Sequence, residues 1–226
     1  MSHTKYKIQD TKHKKGFTLL ELLIVIGILA ILSTTMVLVI NPAELLRRSR
    51  DSQRISDLNT LKTAIGYYIT NVSAPYLGGA DNTTCYGGGG GTPTMWSTAS
   101  GVEAVGWQDW AYSAANLQKT DGNGWVPIDF SGLTGGSPLG SLPIDPTNST
   151  ATSSPSLYYV YTCEATNLTF EIDANMESSY YKNGGDGDVE SKDGGDISDL
   201  YEVGTVMTNP NVMPATTSTT FFPNAT

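Results

Sequence analysis

Residues 14–40 read Lys14-Lys15-Gly16 and then FTLLELLIVIGILAILSTTMVLVI, an apolar run over residues 17–40 broken by one charge, Glu21. A helix rising about 1.5 Å per residue crosses a bilayer's hydrocarbon core in that length, so the run is a membrane segment. The first sixteen residues carry five lysines against Asp10. Positive charge stays on the cytoplasmic side, which predicts a single pass with everything beyond Ile40 exported. A secretory signal would offer a small-residue cleavage site after its apolar core. None precedes Asn41-Pro42, so the segment is retained. Gly16 lies at the junction of leader and helix, where a missing side chain leaves the backbone open to a protease at the membrane face. Glu21 is the residue a plain anchor does not explain, because an unpaired carboxylate in hydrocarbon is costly and such residues serve a function. The plainer account is a carboxyl that is protonated or snorkels at the membrane edge.

The heptapeptide Lys15-Gly16-Phe17-Thr18-Leu19-Leu20-Glu21 resembles the cleavage motif of type IV prepilins and type II secretion pseudopilins. The resemblance implies that a membrane prepilin peptidase cuts between Gly16 and Phe17 and methylates the new N-terminus at Phe17. It further implies that Glu21 neutralises that amino group on a neighbouring subunit and so sets the stagger between helices. The partners implied are the peptidase, an inner-membrane assembly platform, other copies of the chain and minor pilins in a helical filament. Before assembly the partner is the membrane itself. The final location implied is an extracellular or periplasmic filament.

Beyond Pro42 the apolar positions Ile55, Leu58, Leu61, Ile65, Tyr68 and Ile69 recur at three and four, predicting an amphipathic helix over residues 43–71 with one face on a globular head. Pro42 predicts a kink or local melting where the two helical halves meet. The arginines Arg47, Arg48, Arg50 and Arg54 are read as a solvated face, with Glu44/Arg48 and Arg47/Asp51 spaced to pair across one turn. Arg50-Asp51-x-x-Arg54-x-x-Asp57-Leu58-x-x-Leu61 is similar to the corresponding stretch of pseudopilins and small pilins.

The 226 residues carry a net charge of −9; outside the leader, 8 Lys and Arg face 21 Asp and Glu, a net of −13. That excludes a general nucleic-acid binder, which needs a dense basic face. Histidine occurs only at His3 and His13, both in the leader. The rest of the chain therefore lacks the usual general base and commonest metal ligand, and is read as no enzyme. Two cysteines, Cys85 and Cys163, are too few for a cysteine-built zinc site, and in an exported head they are candidates for one disulfide.

In the head, Gly87 to Gly91 predict a flexible loop, and Leu142-Pro143-Ile144-Asp145-Pro146 an extended brace. Residues 157–164 and 168–175 read as a β-hairpin, with Tyr159, Tyr161 and Cys163 on one face and Phe170, Ile172 and Ala174 on another. Four tryptophans are read as bulk for a small core, or else as a sugar-stacking face. Between residues 186 and 199, carboxylates crowd a glycine-rich stretch. Oxygen-rich loops of this kind suit calcium, with Asp186, Asp188, Asp193 and Asp196 as first candidates, although the spacing is not that of an EF-hand. The resemblance points the same way, since major pseudopilins hold calcium in a C-terminal loop.

The expected architecture is α+β and pilin-like: a long N-terminal helix, half in membrane, packed on a small antiparallel sheet. Its parts are a leader (1–16), a transmembrane helix (17–40), an amphipathic helix (41–72), a head (73–206) and an irregular tail (207–226). The expected function is a structural subunit of a type IV pilus or pseudopilus-like filament. A membrane-anchored sugar-binding module that never polymerises is the alternative, and it would not need Glu21.

Overall fold

The structure, a computed structural model, describes residues 16–99, 107–109, 113–150 and 156–207, with the backbone alone at 37–40. The leader up to Lys15, Trp110 and the tail from residue 208 lie outside the described residues. The chain divides into two compact units, Met1–Pro42 and Ala43–Thr226.

The first unit contains helix α1, Leu19–Ile40. Asn41 follows it with φ 44° and ψ 78°, outside the helical region, and α2 starts directly at Pro42. The expected kink is therefore a one-residue interruption. Pro42 occupies the first turn of a new helix, where its missing N–H has no intrahelical partner to lose.

The second unit is α+β. Helix α2 (Pro42–Asn71) is followed by β1 (Thr94–Ser97), β2 (Gln108–Asp109), a 3-10 turn at Phe130–Gly132, β3 (Tyr159–Glu164), β4 (Thr169–Ala174) and β5 (Tyr201–Gly204). The strands form one sheet in the order β2-β1-β3-β4-β5. It is antiparallel except at the β1–β2 edge, which is parallel. In the β3–β4 hairpin Tyr159 faces Ala174, Tyr161 faces Ile172 and Cys163 faces Phe170. Directly opposed residues share a face, so the two triads expected on separate faces form one apolar surface. With Trp96, Tyr201 and Val203 it packs against Leu58, Leu61, Ala64, Ile65 and Tyr68 of α2 in the main core. Trp125, another member of this core, donates its indole N–H to the Pro143 carbonyl at 2.8 Å. The other face of the sheet carries a second, smaller core of Met95, Tyr158 and Val160 against Ile197 and Leu200. The sheet is thus covered on both sides.

The buried positions of α2 run Asp51, Arg54, Leu58, Leu61, Ala64, Ile65, Tyr68, a stripe at three and four that begins with two charged residues. Here the solvated-face reading fails. Arg54 is fully buried. It donates to both oxygens of Asp145 at 2.6 and 3.0 Å, to Asp51 at 2.7 Å and to Thr147 at 3.3 Å. Asp51 is thereby taken from Arg47 and also accepts the backbone N–H groups of Glu177 and Ser178 at 2.9 and 2.8 Å. Asp145 accepts those of Thr147 and Asn148 at 2.7 and 3.0 Å. The expected Glu44–Arg48 pair is present at 3.6 Å, while Arg47 lies 3.9 Å from both Glu44 and Glu177.

Cys85 and Cys163 are joined by a disulfide across 78 residues. Closing a loop of that length restricts the unfolded chain by about 4 kcal/mol in the entropic account. The bridge also holds residues 85 and 86 against the end of β3, where Tyr86 N–H meets the Cys163 carbonyl at 2.9 Å. The glycine run that follows is an ordered turn rather than a loose linker. Gly87, Gly89 and Gly91 have positive φ, and a Cβ at Gly88 or Gly90 would strike the backbone of Asn82 or Thr83.

Between β4 and β5 the chain is bracketed by Glu190, which accepts the N–H groups of Met176 and Asn183, both at 2.9 Å. Burial pushes the Glu190 carboxyl up to about 7, outweighing the two N–H donors and Lys182.

Two outcomes follow from these burials. Replacing Arg54 with methionine leaves Asp51 and Asp145 buried without a countercharge and is expected to cost about 3–5 kcal/mol in denaturant unfolding, against less than about 1 kcal/mol for Arg47→Ala at the surface. Because the folded Glu190 holds its proton above the ordinary value of 4.5, its contribution is whole below that pH and is lost as pH rises to about 7. Urea midpoints should fall across this window, and Glu190→Gln should flatten the fall.

Candidate functional sites: the N-terminal junction and a buried carboxylate trio

Gly16, Phe17 and Thr18 precede α1 as non-helical residues, and Phe17 is 79 % exposed. A Cβ built on Gly16 meets nothing within 4 Å, and its φ is not in the left-handed region. Among the described residues nothing requires glycine there. Thr18 caps the helix: its backbone is extended, and its hydroxyl oxygen accepts the N–H of Glu21 at 3.2 Å. Glu21 thus stands at the third helical position after a threonine cap, the spacing of a capping box, where an acidic side chain also favours the positive end of the helix dipole. The pattern Thr18-x-x-Glu21 was open to view in the sequence, and it gives Glu21 a local role beside any intermolecular one.

Along α1 every described side chain is exposed, and Leu19–Met36 is long and apolar enough to cross a membrane. Its serine and threonine hydroxyls past the first turn are satisfied within the helix. Ser33 donates to the Leu29 carbonyl at 2.7 Å, Thr34 to that of Ile31 at 2.8 Å and Thr35 to that of Leu32 at 2.9 Å. This is the condition hydrocarbon imposes.

The four aspartates expected to gather around calcium do not converge. Asp186 is exposed. Asp188 is folded into a turn, accepting from Ser191 N–H and Gly184 N–H at 3.0 Å and from the Ser191 hydroxyl at 2.6 Å, which holds its carboxyl at about 2. Asp193 accepts from Gly195 N–H at 2.9 Å and Glu202 N–H at 2.7 Å. Among the described residues, the one set of three or more acidic, histidine or cysteine side chains able to present ligand atoms together is Glu171, Asp173 and Glu202, with one oxygen from each within 4.8 Å of the others. Asp173 and Glu202 are direct partners across β4–β5, and Glu171 lies two residues before Asp173 on the same face. Asp193 and Asp196 act on this trio electrostatically. Burial, reinforced by the neighbouring carboxylates, drives Glu171 and Asp173 far above the usual range, and Glu202 up to about 7. The trio escapes a reading of the sequence because Glu171-x-Asp173 alternates with Phe170 and Ile172, the pattern of a solvent-facing row.

Against known proteins, no curated relative and no solved structure matches the chain. A family model described as the prokaryotic N-terminal methylation motif matches residues 11–37, which include the glycine, the capping threonine and most of the exposed apolar helix. The chain therefore carries, at its N-terminus, the signature of type IV prepilins and pseudopilins.

Proposed function

We propose that the chain is a structural subunit of a type IV pilus or pseudopilus-like filament, cut between Gly16 and Phe17 by a prepilin peptidase and assembled through α1. The observation that carries this reading is the helix itself: its apolar side chains are exposed around the whole circumference, while the head closes its own core. Such a surface is stable only in lipid or against other helices. Gly27, Ala30 and Thr34 recur at three and four along it and leave one side low enough for a neighbouring helix to approach closely. The glycine at position 16, which nothing among the described residues needs, is accounted for as a requirement of the peptidase.

Cleavage has an electrostatic consequence at this junction. It creates a charged amino group on Phe17, beside the positive end of α1, where a cation is disfavoured. In apolar surroundings that charge needs a carboxylate, and Glu21 is the only acidic residue in the helix. Pairing between Phe17 of one subunit and Glu21 of the next would satisfy both groups and fix the axial register of neighbours. The assembly platform and minor pilins belong to this reading, as do a single pass through the cytoplasmic membrane before assembly and an exported head.

The alternative of a sugar-binding anchor loses support from Trp96 and Trp125, which lie wholly inside the main core rather than on a stacking face.

Intact-mass measurement of the chain from cells with an active prepilin peptidase should give residues 17–226 plus one methyl group. Gly16→Leu should leave the leader attached. Glu21→Ala should still be cut but disappear from sheared filaments. A chain that stays uncut from Met1 beside an active peptidase would overturn the proposal.

A further inference from the structure

Glu171 and Asp173 are fully buried and Glu202 is 1 % exposed. Both oxygens of Glu171, both of Asp173 and one of Glu202 lie in the interior with no donor from the surrounding protein, the carboxyls of Glu171 and Glu202 lying within hydrogen-bond reach of each other. The remaining Glu202 oxygen accepts the N–H of Ile197 at 2.9 Å. The ion pairs among the described residues are all made by Arg47, Arg48, Arg50 and Arg54 of α2, so no cationic side chain pairs with the trio. Three buried carboxylates that share a single backbone donor are among the costliest arrangements a fold can hold.

Two further groups face the same space. Thr162 stands directly opposite Glu171 in the β3–β4 register, and Asn175 is the first residue after β4, two beyond Asp173. Both are buried, and the Thr162 hydroxyl and both polar atoms of the Asn175 amide lack partners. One oxygen of Asp196, on the covering loop, is likewise buried without a donor. The donor set is therefore rich in oxygen, anionic, and contributed by three strands and the loop between β4 and β5. Calcium takes six to eight oxygens at about 2.3–2.6 Å, so oxygens on opposite sides of the ion stand up to about 5 Å apart. The 4.8 Å span of the trio falls within that limit. Magnesium, with its shorter bonds and tightly held water, suits a wider and wetter site.

We infer that Glu171, Asp173 and Glu202, completed by Thr162, Asn175 and Asp196, form a calcium site on the second face of the sheet. The ion would clamp the loop before β5 onto the strands. That loop is built to close tightly: Asp193 holds the N–H groups of both Gly195 and Glu202, and Gly195 lies so close to the Glu202 carboxylate that a Cβ there would overlap it. The site is independent of filament assembly and uses none of the N-terminal motif.

The test is titration of the full chain, stripped with chelator in detergent, with calcium chloride alone, followed by calorimetry and thermal unfolding. One ion per chain and a rise in Tm are expected. Asp173→Asn and Glu171→Gln should each weaken binding at least tenfold, since each removes an anionic ligand oxygen. Asp186→Asn should leave binding unchanged. Absence of both heat and a Tm shift at millimolar calcium in the wild-type chain would overturn the assignment whether or not the variants fold. So would binding lost in Asp186→Asn but kept in Asp173→Asn, or a site that takes magnesium as readily as calcium.

Discussion

The head is organised around one buried cation. Arg54 projects from the stripe of α2 that otherwise carries leucine, isoleucine and tyrosine, and its planar guanidinium satisfies two aspartates from different parts of the chain. Each aspartate in turn holds backbone N–H groups, Asp145 in the turn at residues 147–148 and Asp51 at the start of the loop after β4. Helix, brace and loop thus meet at a single ion. Such a cluster adds little net stability over a well-packed apolar equivalent, because desolvation offsets attraction. What it supplies is register: a one-residue slip of α2 would bury unpaired charge, whereas an apolar stripe tolerates small shifts.

Much of this fold is legible from local pattern. The apolar spacing of α2 and the alternation of the hairpin predict both elements, because each depends on residues near in sequence. What escaped is non-local. Asp51 and Arg54 sit three apart, the spacing of an exposed helix pair, and only Asp145, ninety-one residues after Arg54, brings them inside. The β1 and β2 strands are four and two residues long, too short to leave a periodic signal. The N-terminal junction was readable because its chemistry is contained in seven consecutive residues. The carboxylate trio was not, since its third member comes from β5 and its burial depends on a loop folding over the sheet.

The two units solve opposite problems with their polar groups. In α1 the hydroxyls of Ser33, Thr34 and Thr35 turn back to carbonyls of their own helix, so these groups need nothing from water. In the head, backbone N–H groups are gathered by carboxylates at nearly every bend: Asp145, Glu164, Asp188, Glu190 and Asp193 each accept two or more. This accounts for an acidic composition without requiring an acidic surface function. Where the described residues between 72 and 158 form few regular elements, side-chain acceptors serve in place of the ladders of a larger sheet.

The Cys85–Cys163 bridge encloses β1, β2, both core tryptophans and the Asp145 turn within one covalent ring. A single backbone cut anywhere from residue 86 to residue 162 consequently yields two fragments that stay attached, one bearing α2 and the other β4 and β5, still able to share the same core. A chain nicked there by a protease is not severed into separate pieces, and the damage becomes apparent only when the bridge is reduced.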